Sequence, residues 1–408
     1  LEAGVRYSHY KVFTASAPTF NTTTYKAGGS WEPANGLKFR GMYQRAVRAP
    51  NISELFAPPV SGLTNLSTDP CASFNDRGER IAPTPTGNLA AICVAQGAPA
   101  SQLGLIQTPT SGQAVATSGG NPNLRPEKSD SITAGVVIQP QQFLPGFSVT
   151  VDYYNIKIKR AITTPTPDDI INACFVTAPT ATSAACTAIR REPVTGALSG
   201  DQSVFTGLPQ PLSNLGMLKT DGIDLGVNYR TRLVDNVKLA LSFTGNYTHD
   251  SKFQATPTSV NRECTGYYSV NCASIQPKFS WTSRATFSFF DNVDLSVLWR
   301  HVDKVRYEPL AITSAATTPF SGAVRGGQLN GNTYNFGRIP SYDYIDLTAR
   351  IGVAENFDFT ITAQNLFDKQ PPIVGSTVGS TLYNSGNTYP STYDALGRRF
   401  AVGARLHF

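Results

Sequence analysis

Arg398-Arg-Phe-Ala-Val-Gly-Ala-Arg-Leu-His-Phe408 alternates polar and apolar side chains down to a phenylalanine. Successive side chains of an extended strand point to opposite faces. Phe400, Val402, Ala404, Leu406 and Phe408 therefore share one face, and Arg399, Gly403, Arg405 and His407 share the other. A soluble sheet would set its apolar face on a core. Here the same alternation recurs in almost every extended segment, and no stretch carries the apolar period of a covering helix, so the apolar faces are expected to meet lipid. The fold class that follows is all-β: a transmembrane antiparallel β-barrel with about twelve strands in this chain.

Composition agrees. Of 408 residues only 15% are charged; Tyr 17 and Phe 22 provide aromatics for interfacial girdles, and Gly 34 with Pro 28 provide turns. An array of β-sandwiches is the soluble alternative. The longest apolar runs fall far short of the roughly 18 residues that a transmembrane helix needs. The formal charge of +6 is spread through the strands and leaves no nucleic-acid footprint, so no nucleic-acid partner is expected. The chain opens at Leu1 directly into a strand near 2 to 14, and reads as a processed form or as a portion of something longer.

Short and long connections alternate. Strands are expected near 2 to 14, 22 to 32, up to Arg45, Ser129 to Gln139, Phe147 to Arg160, Gly222 to Arg232, Asn236 to Thr248, Phe279 to Phe290, Val293 to Val305, Tyr342 to Val353, Phe357 to Phe367, and in the terminal segment. Turns such as Glu32-Pro-Ala-Asn-Gly36, Asp291-Asn292 and Glu355-Asn356 join them in pairs. The stretches near 48 to 128, 161 to 213, 252 to 277, 307 to 340 and 369 to 397 are long loops, a length that marks functional segments. Tight periplasmic turns opposite extended extracellular loops are the habit of a bacterial barrel.

Parity assigns the faces. Val293, Leu295, Val297 and Trp299 should meet lipid, with Asp294, Ser296 and Arg300 inward. An outward Arg or Lys at the bilayer midplane would cost about 2 to 4 kcal/mol, which favours this assignment. Apolar parity changes in the fifth strand after Tyr153-Tyr154, towards Ile156 and Ile158, and a bulge is expected there.

Several phrases occur in an order that resembles one family. They are Tyr43-Gln-Arg-Ala-Val-Arg-Ala-Pro-Asn-Ile-Ser-Glu-Leu-Phe56, Asn121-Pro-Asn-Leu-Arg-Pro-Glu-Lys-Ser129, Thr220-Asp-Gly-Ile-Asp-Leu225, Asn365-Leu-Phe-Asp368 and the terminal strand. Together they resemble the C-terminal part of the barrel of TonB-dependent outer-membrane receptors. The resemblance implies a 22-stranded barrel, an N-terminal plug with a TonB-contacting box, and a location in the Gram-negative outer membrane. Residues 1–408 would then be the C-terminal portion of that barrel, with the plug and the first strands upstream. Implied partners are outer-membrane lipid, the TonB complex through the missing N-terminal region, the barrel-assembly machinery, and a small-molecule, sugar, peptide or chelate substrate. Phe400, Val402, Ala404, Leu406 and Phe408 resemble the family's assembly signal.

The six cysteines fall as neighbours in three loops, Cys71 with Cys93, Cys174 with Cys186 and Cys264 with Cys272. In an exported chain this favours three local disulfides, although six cysteines allow fifteen connectivities. Asn121 to Glu127 and Asn365 to Lys369 read as turn geometry, not as ligand chemistry. His9, His249, His301 and His407 are dispersed, with metal or haem capture conceivable only at His249. No metal site, cofactor or nucleophilic triad emerges, and the chain is not expected to be an enzyme.

Two residue groups remain as candidate sites. Asp152, Asp224, Arg230, Arg284, Arg300, Asp346, Arg350 and Arg405 should face the lumen, either pairing within the wall or holding the plug. Tyr267, Tyr268, Tyr307, Tyr334, Phe336, Tyr383, Tyr389 and Tyr393 are candidate ligand contacts in the loops, aromatics offering wide area with a polar handle. The function these readings favour is energised capture and import of a scarce substrate. A passive, porin-like channel of about twelve strands is the alternative, and an outer-membrane barrel enzyme a more distant one.

Overall fold

The computed structural model describes residues 1–12, 18–66, 68–269, 272, 275–290, 292–308, 321–323, 331, 333–335, 337–374 and 388–406. Twelve strands follow one another in a single antiparallel path. They are β1 (Glu2–Lys11), β2 (Thr19–Ala34), β3 (Leu37–Arg48), β4 (Glu127–Ile138), β5 (Phe147–Thr163) and β6 (Ser213–Val234). β7 (Val237–Gln254), β8 (Phe279–Phe289), β9 (Val293–Val302), β10 (Tyr342–Ala354), β11 (Phe357–Gln364) and β12 (Arg399–Leu406) complete the path. Each pairs with its successor, so β1 and β12 form the two edges of the sheet among the described residues. A short strand, Arg262–Glu263, adds to the far end of β7.

The strands lie where alternation placed them, most with ends that differ by up to three residues, and two run on much further. β6 starts at Ser213 instead of near Gly222, and β7 continues to Gln254 instead of Thr248. Backbone pairing persists there after the apolar alternation has stopped, because hydrogen bonding needs no lipid-facing pattern. His249 falls at the register shift between Thr248 and Asp250.

The short turns share one end. Gly36 has φ +80°, and a Cβ on it would lie 2.1 Å from the carbonyl oxygen of Gln139, so the turn requires glycine for both backbone and neighbour. Bonds then step from hairpin to hairpin along this rim. The Gln139 N–H donates to Gly36 O at 2.6 Å, Arg230 N–H to Gly146 O at 3.0 Å, and Phe290 N–H to Asn236 O at 2.9 Å.

Register shows which side chains share a face. Leu239, Phe287, Leu295, Ala349, Ile361 and Val402 form one row across six neighbouring strands, all on the face read from the sequence as outward. The adjacent inward row runs through Thr286, Ser296, Thr348, Thr362 and Ala401. Outward apolar residues stay bare, with Trp31 and Val402 each 67% exposed and Phe400 70%. In water such a surface would be strongly unfavourable; in lipid it is the expected dressing of a wall.

The bulge expected at Tyr153-Tyr154 is not there. β5 pairs with β4 without interruption from Val149 to Lys159, and its irregularity comes later, at Arg160, with φ +56°. The change of pattern has another cause: Lys157 and Lys159 keep the outward parity and Ile156 and Ile158 the inward one. The strand's surroundings change along its length, and its geometry does not.

Candidate functional site

The end opposite the short turns is built from the long loops, and they fold together. In the first, Val60–Asn65 pairs antiparallel with Gln113–Gly119, which in turn takes Leu208–Pro211 of the second loop as a parallel neighbour. Leu66, Ile92, Ala114, Ile170, Ile171, Ile189, Leu198 and Leu208 are buried in one core drawn from both loops. Cys71–Cys93 and Cys174–Cys186 are disulfides within these loops, and Cys264–Cys272 closes the third. The pairing is the local one that loop membership favoured.

A buried ion pair locks the two loops to each other. Arg191 and Asp69 have fully buried side chains and meet through two bonds of 2.7 Å. The remaining guanidinium donors reach Gln96 Oε1 at 2.7 Å and Gly196 O at 3.0 Å, so the charge is satisfied in place. This residue gave no signal in the sequence, because its partner lies more than a hundred positions away.

A second core joins the later loops. Tyr268, Ile275, Val305, Ile339, Val374, Tyr389 and Tyr393 are buried together, with Tyr307 packed against them. Tyr268 meets Tyr307 and Tyr389 edge-on at centroid distances of 5.7 and 6.1 Å. Burial pushes the Tyr307 phenol up to about 12, and moves Tyr268, Tyr389 and Tyr393 in the same direction. Tyr268, Tyr389 and Tyr393, read from sequence as ligand contacts, are thus core residues with no surface to offer in this arrangement; packing one loop upon another claimed them. Tyr267 stays half-buried in a two-residue strand beside Arg306. Tyr334 lies in Thr333–Asn335, paired with Ser321–Ala323. Its side chain, Phe336, Tyr383 and Phe408 lie outside the described residues.

The two cores touch at Arg262. Its guanidinium donates to Glu308 Oε1 at 2.7 Å and stands 3.8 Å from Asp169 of the second loop, while Ser269 donates to Glu308 Oε2 at 2.7 Å. Asp169 caps the helix Pro167–Asn172 together with Thr166, and its buried Oδ1 is the atom that faces Arg262. Beside it opens a cavity of about 530 Å³ lined by Ile170, Pro209, Pro211, Pro257 and Val260. An apolar hollow of this kind suits a largely apolar ligand body.

The inward charges pair mostly within the wall. Asp152 accepts from Arg40 Nε at 2.8 Å, a partner that sequence reading missed, across β4 at Gly135. A Cβ on Gly135 would lie 1.9 Å from Asp152 Oδ1, so glycine leaves room for the pair. Arg350 joins Asp294 at 2.7 Å and Asp358 at 3.0 Å, and Arg300 joins Asp346 at 3.1 Å. Arg284 donates to Ser296 at 2.9 Å, and Asp224 accepts from Asn246 at 2.7 Å. Arg230 and Arg405 share the inward parity without an ion pair among the described residues.

The turn motifs are braces. Asn121 Nδ2 donates to Leu212 O at 2.9 Å, and Glu127 accepts from Arg48 Nε and from the Ile162 N–H, both at 2.6 Å. Asn365, at φ +49°, donates its N–H to Asp346 and closes on Lys369 in both directions. At His249, Nδ1 lies 3.1 Å from Asp221, with Asp250 adjacent. Lys219 and Lys252 bridge the same carboxylates at 3.3 and 2.7 Å, so that cluster is already neutralised by ammonium groups.

The sequence model described as TonB dependent receptor-like, beta-barrel, matches residues 1–366. The chain belongs to the TonB-dependent receptor family. No curated protein matches it. Among solved structures it is similar to the ferric enterobactin receptor PfeA of Pseudomonas aeruginosa, determined as a mutant with enterobactin, at 14% identity and a TM-score of 0.56. That match covers 100% of this chain and 43% of PfeA. It is also similar to the siderophore receptor PirA of Acinetobacter baumannii, at 14% identity and a TM-score of 0.52, over 97% of this chain and 42% of PirA. The TonB-dependent chain thus spans about two-fifths of the length of these receptors, and the likeness is one of fold.

Proposed function

We propose that this chain is the C-terminal wall and outer cap of a TonB-energised receptor that captures a scarce ligand at the cell surface and imports it across the outer membrane. The observation that carries the reading is the folded cap: two cores, three disulfides and a cavity at the joint, all raised on a wall with an exposed apolar face. A passive pore has no need of so elaborate a rim. The free edges of β1 and β12 favour further strands in the complete barrel, since an unpaired edge in lipid leaves backbone groups without partners.

The ligand class to test first is a ferric chelate, as bound by the similar PfeA. Tyr267 and the cavity beside Asp169 are the contacts proposed here, and the inward Arg230 and Arg405 are the residues proposed to meet the plug. Titration of the receptor with ferric chelates, with and without Val260→Trp, which fills the hollow, tests the cap as the capture site. Saturable binding that the substitution weakens about tenfold, a change of about 1.4 kcal/mol, would support it. Binding untouched by disruption of the cap would remove it.

A further inference from the structure

Outward charges are not spread evenly around this wall. On β3 and β4 the outward positions about ten residues beyond the short turns are Arg45 and Asp130, with Lys128 one outward position further. At ~3.4 Å per residue and a tilt of about 40° they stand roughly 25 Å above the turns, the outer edge of the apolar band. At the same distance from their turns, β6, β7 and β8 show Ile223, Tyr247 and Trp281 instead. One sector of the wall is cationic where its neighbours are apolar.

A groove of about 860 Å³ opens in that sector. Its wall includes Tyr25, Arg45, Val47 and Lys128, all outward by register, together with Arg125 and Arg160. No carboxylate lines it among the described residues. Arg45 is held over the Tyr25 ring at 5.4 Å and answered by Asp130 at 2.7 Å, whereas Arg125, Lys128 and Arg160 have no ion-pair partner among the described residues.

The groove is built. Asn214 donates through Nδ2 to the carbonyl oxygens of both Arg125, at 2.7 Å, and Arg160, at 3.0 Å, and accepts from the Arg125 N–H at 2.6 Å. Arg160 itself sits at φ +56°, the left-handed conformation that ends the regular pairing of β5. One side chain thus fixes the backbone of two arginines, one from the first loop and one from the outer end of β5, at some conformational expense.

We propose that this groove binds the phosphorylated headgroup of an outer-leaflet lipid. The inference rests on the outer-membrane placement above but not on any imported ligand. Arginine forks match phosphate oxygens, and Tyr25 and Val47 continue the apolar belt on which acyl chains would lie. A soluble anionic ligand would more naturally be met within the lumen or the cap than on the lipid side of the wall.

The test uses the complete receptor in detergent micelles, probed with lipid A bearing two phosphates, with its phosphate-free form, and with inorganic phosphate as competitor. Native mass spectrometry counts bound lipid and a titration gives affinity. Arg125→Gln/Lys128→Gln/Arg160→Gln should weaken the diphosphorylated lipid about a hundredfold, each lost cation near a charged surface contributing about tenfold or somewhat less. Arg160→Gln alone, at an exposed position, should weaken it several-fold and serves if the triple variant does not fold by heat-modifiable gel mobility. Unchanged affinity in a folded variant, equal binding of the phosphate-free lipid, or full displacement by millimolar inorganic phosphate would overturn the proposal. Ligand import has no part in these readouts, so their failure leaves the receptor reading standing.

Discussion

The wall and the cap of this chain use the same kinds of apolar residue in opposite ways. Along β7 to β12 large apolar side chains such as Leu241, Leu295, Trp299, Ile361 and Val402 share one face and remain exposed, while Leu66, Ile92, Leu198 and Leu208 in the loops are buried. Lipid replaces a core in the first region, and water compels one in the second. Charges reverse with them. Inward carboxylates and guanidiniums of the wall remain partly exposed, but Arg191 and Asp69 of the cap are sealed completely.

Removal of Arg191 should separate the two regions most sharply. Arg191→Ala leaves Asp69 as an uncompensated buried charge, and loss of one partner of such a pair costs about 3 to 5 kcal/mol. Hydrogen exchange and limited proteolysis should find the first two loops open, with the heat-modifiable mobility of the barrel unchanged. Simultaneous loss of the barrel would mean that cap and wall do not fold as distinct regions.

Leu241→Arg makes the converse test on the wall. Leu241 lies outward between Tyr229 and Ala285, about midway up the apolar band, and a cation there should cost about 2 to 4 kcal/mol. The folded fraction in the membrane should fall while the disulfides of the cap still form. A neutral result would place this face away from lipid.

Alkali should act on the cap alone, and more gently. The Tyr307 phenol is raised by burial to about 12, so between pH of about 10 and 12 the unfolded chain gives up a proton that the folded cap retains. Stability is therefore full below about pH 10 and declines as pH rises through that window, by about 1.4 kcal/mol per buried tyrosine at pH 11. Absorbance at the tyrosinate band should rise late and together with proteolysis near Tyr268. Ionisation at the ordinary tyrosine value with the cap intact would contradict the burial.

The wall was legible because lipid writes a two-residue period into each strand, from Val293 to Trp299 as from Phe400 to Leu406. That period ends where lipid ends. For this reason the extensions of β6 and β7 leave no trace in the pattern, and the shift to Ile156 and Ile158 reads as a bulge at Tyr153-Tyr154. The cap left no comparable trace: Arg191 and Asp69, or Tyr268 and Tyr389, are brought together by loops whose sequences have no period. Aromatic richness singled out these loops, but not the difference between an exposed aromatic and a core one. The cysteines succeeded because each pair shares one loop, which makes proximity local.

Uptake of a bound ferric chelate by cells that have or lack TonB bears most directly on the receptor's work. With TonB present, labelled chelate should bind at the surface and accumulate inside; without TonB, surface binding should remain and accumulation should cease. Equal accumulation in both would mean a passive channel, and would contradict energised import through this wall.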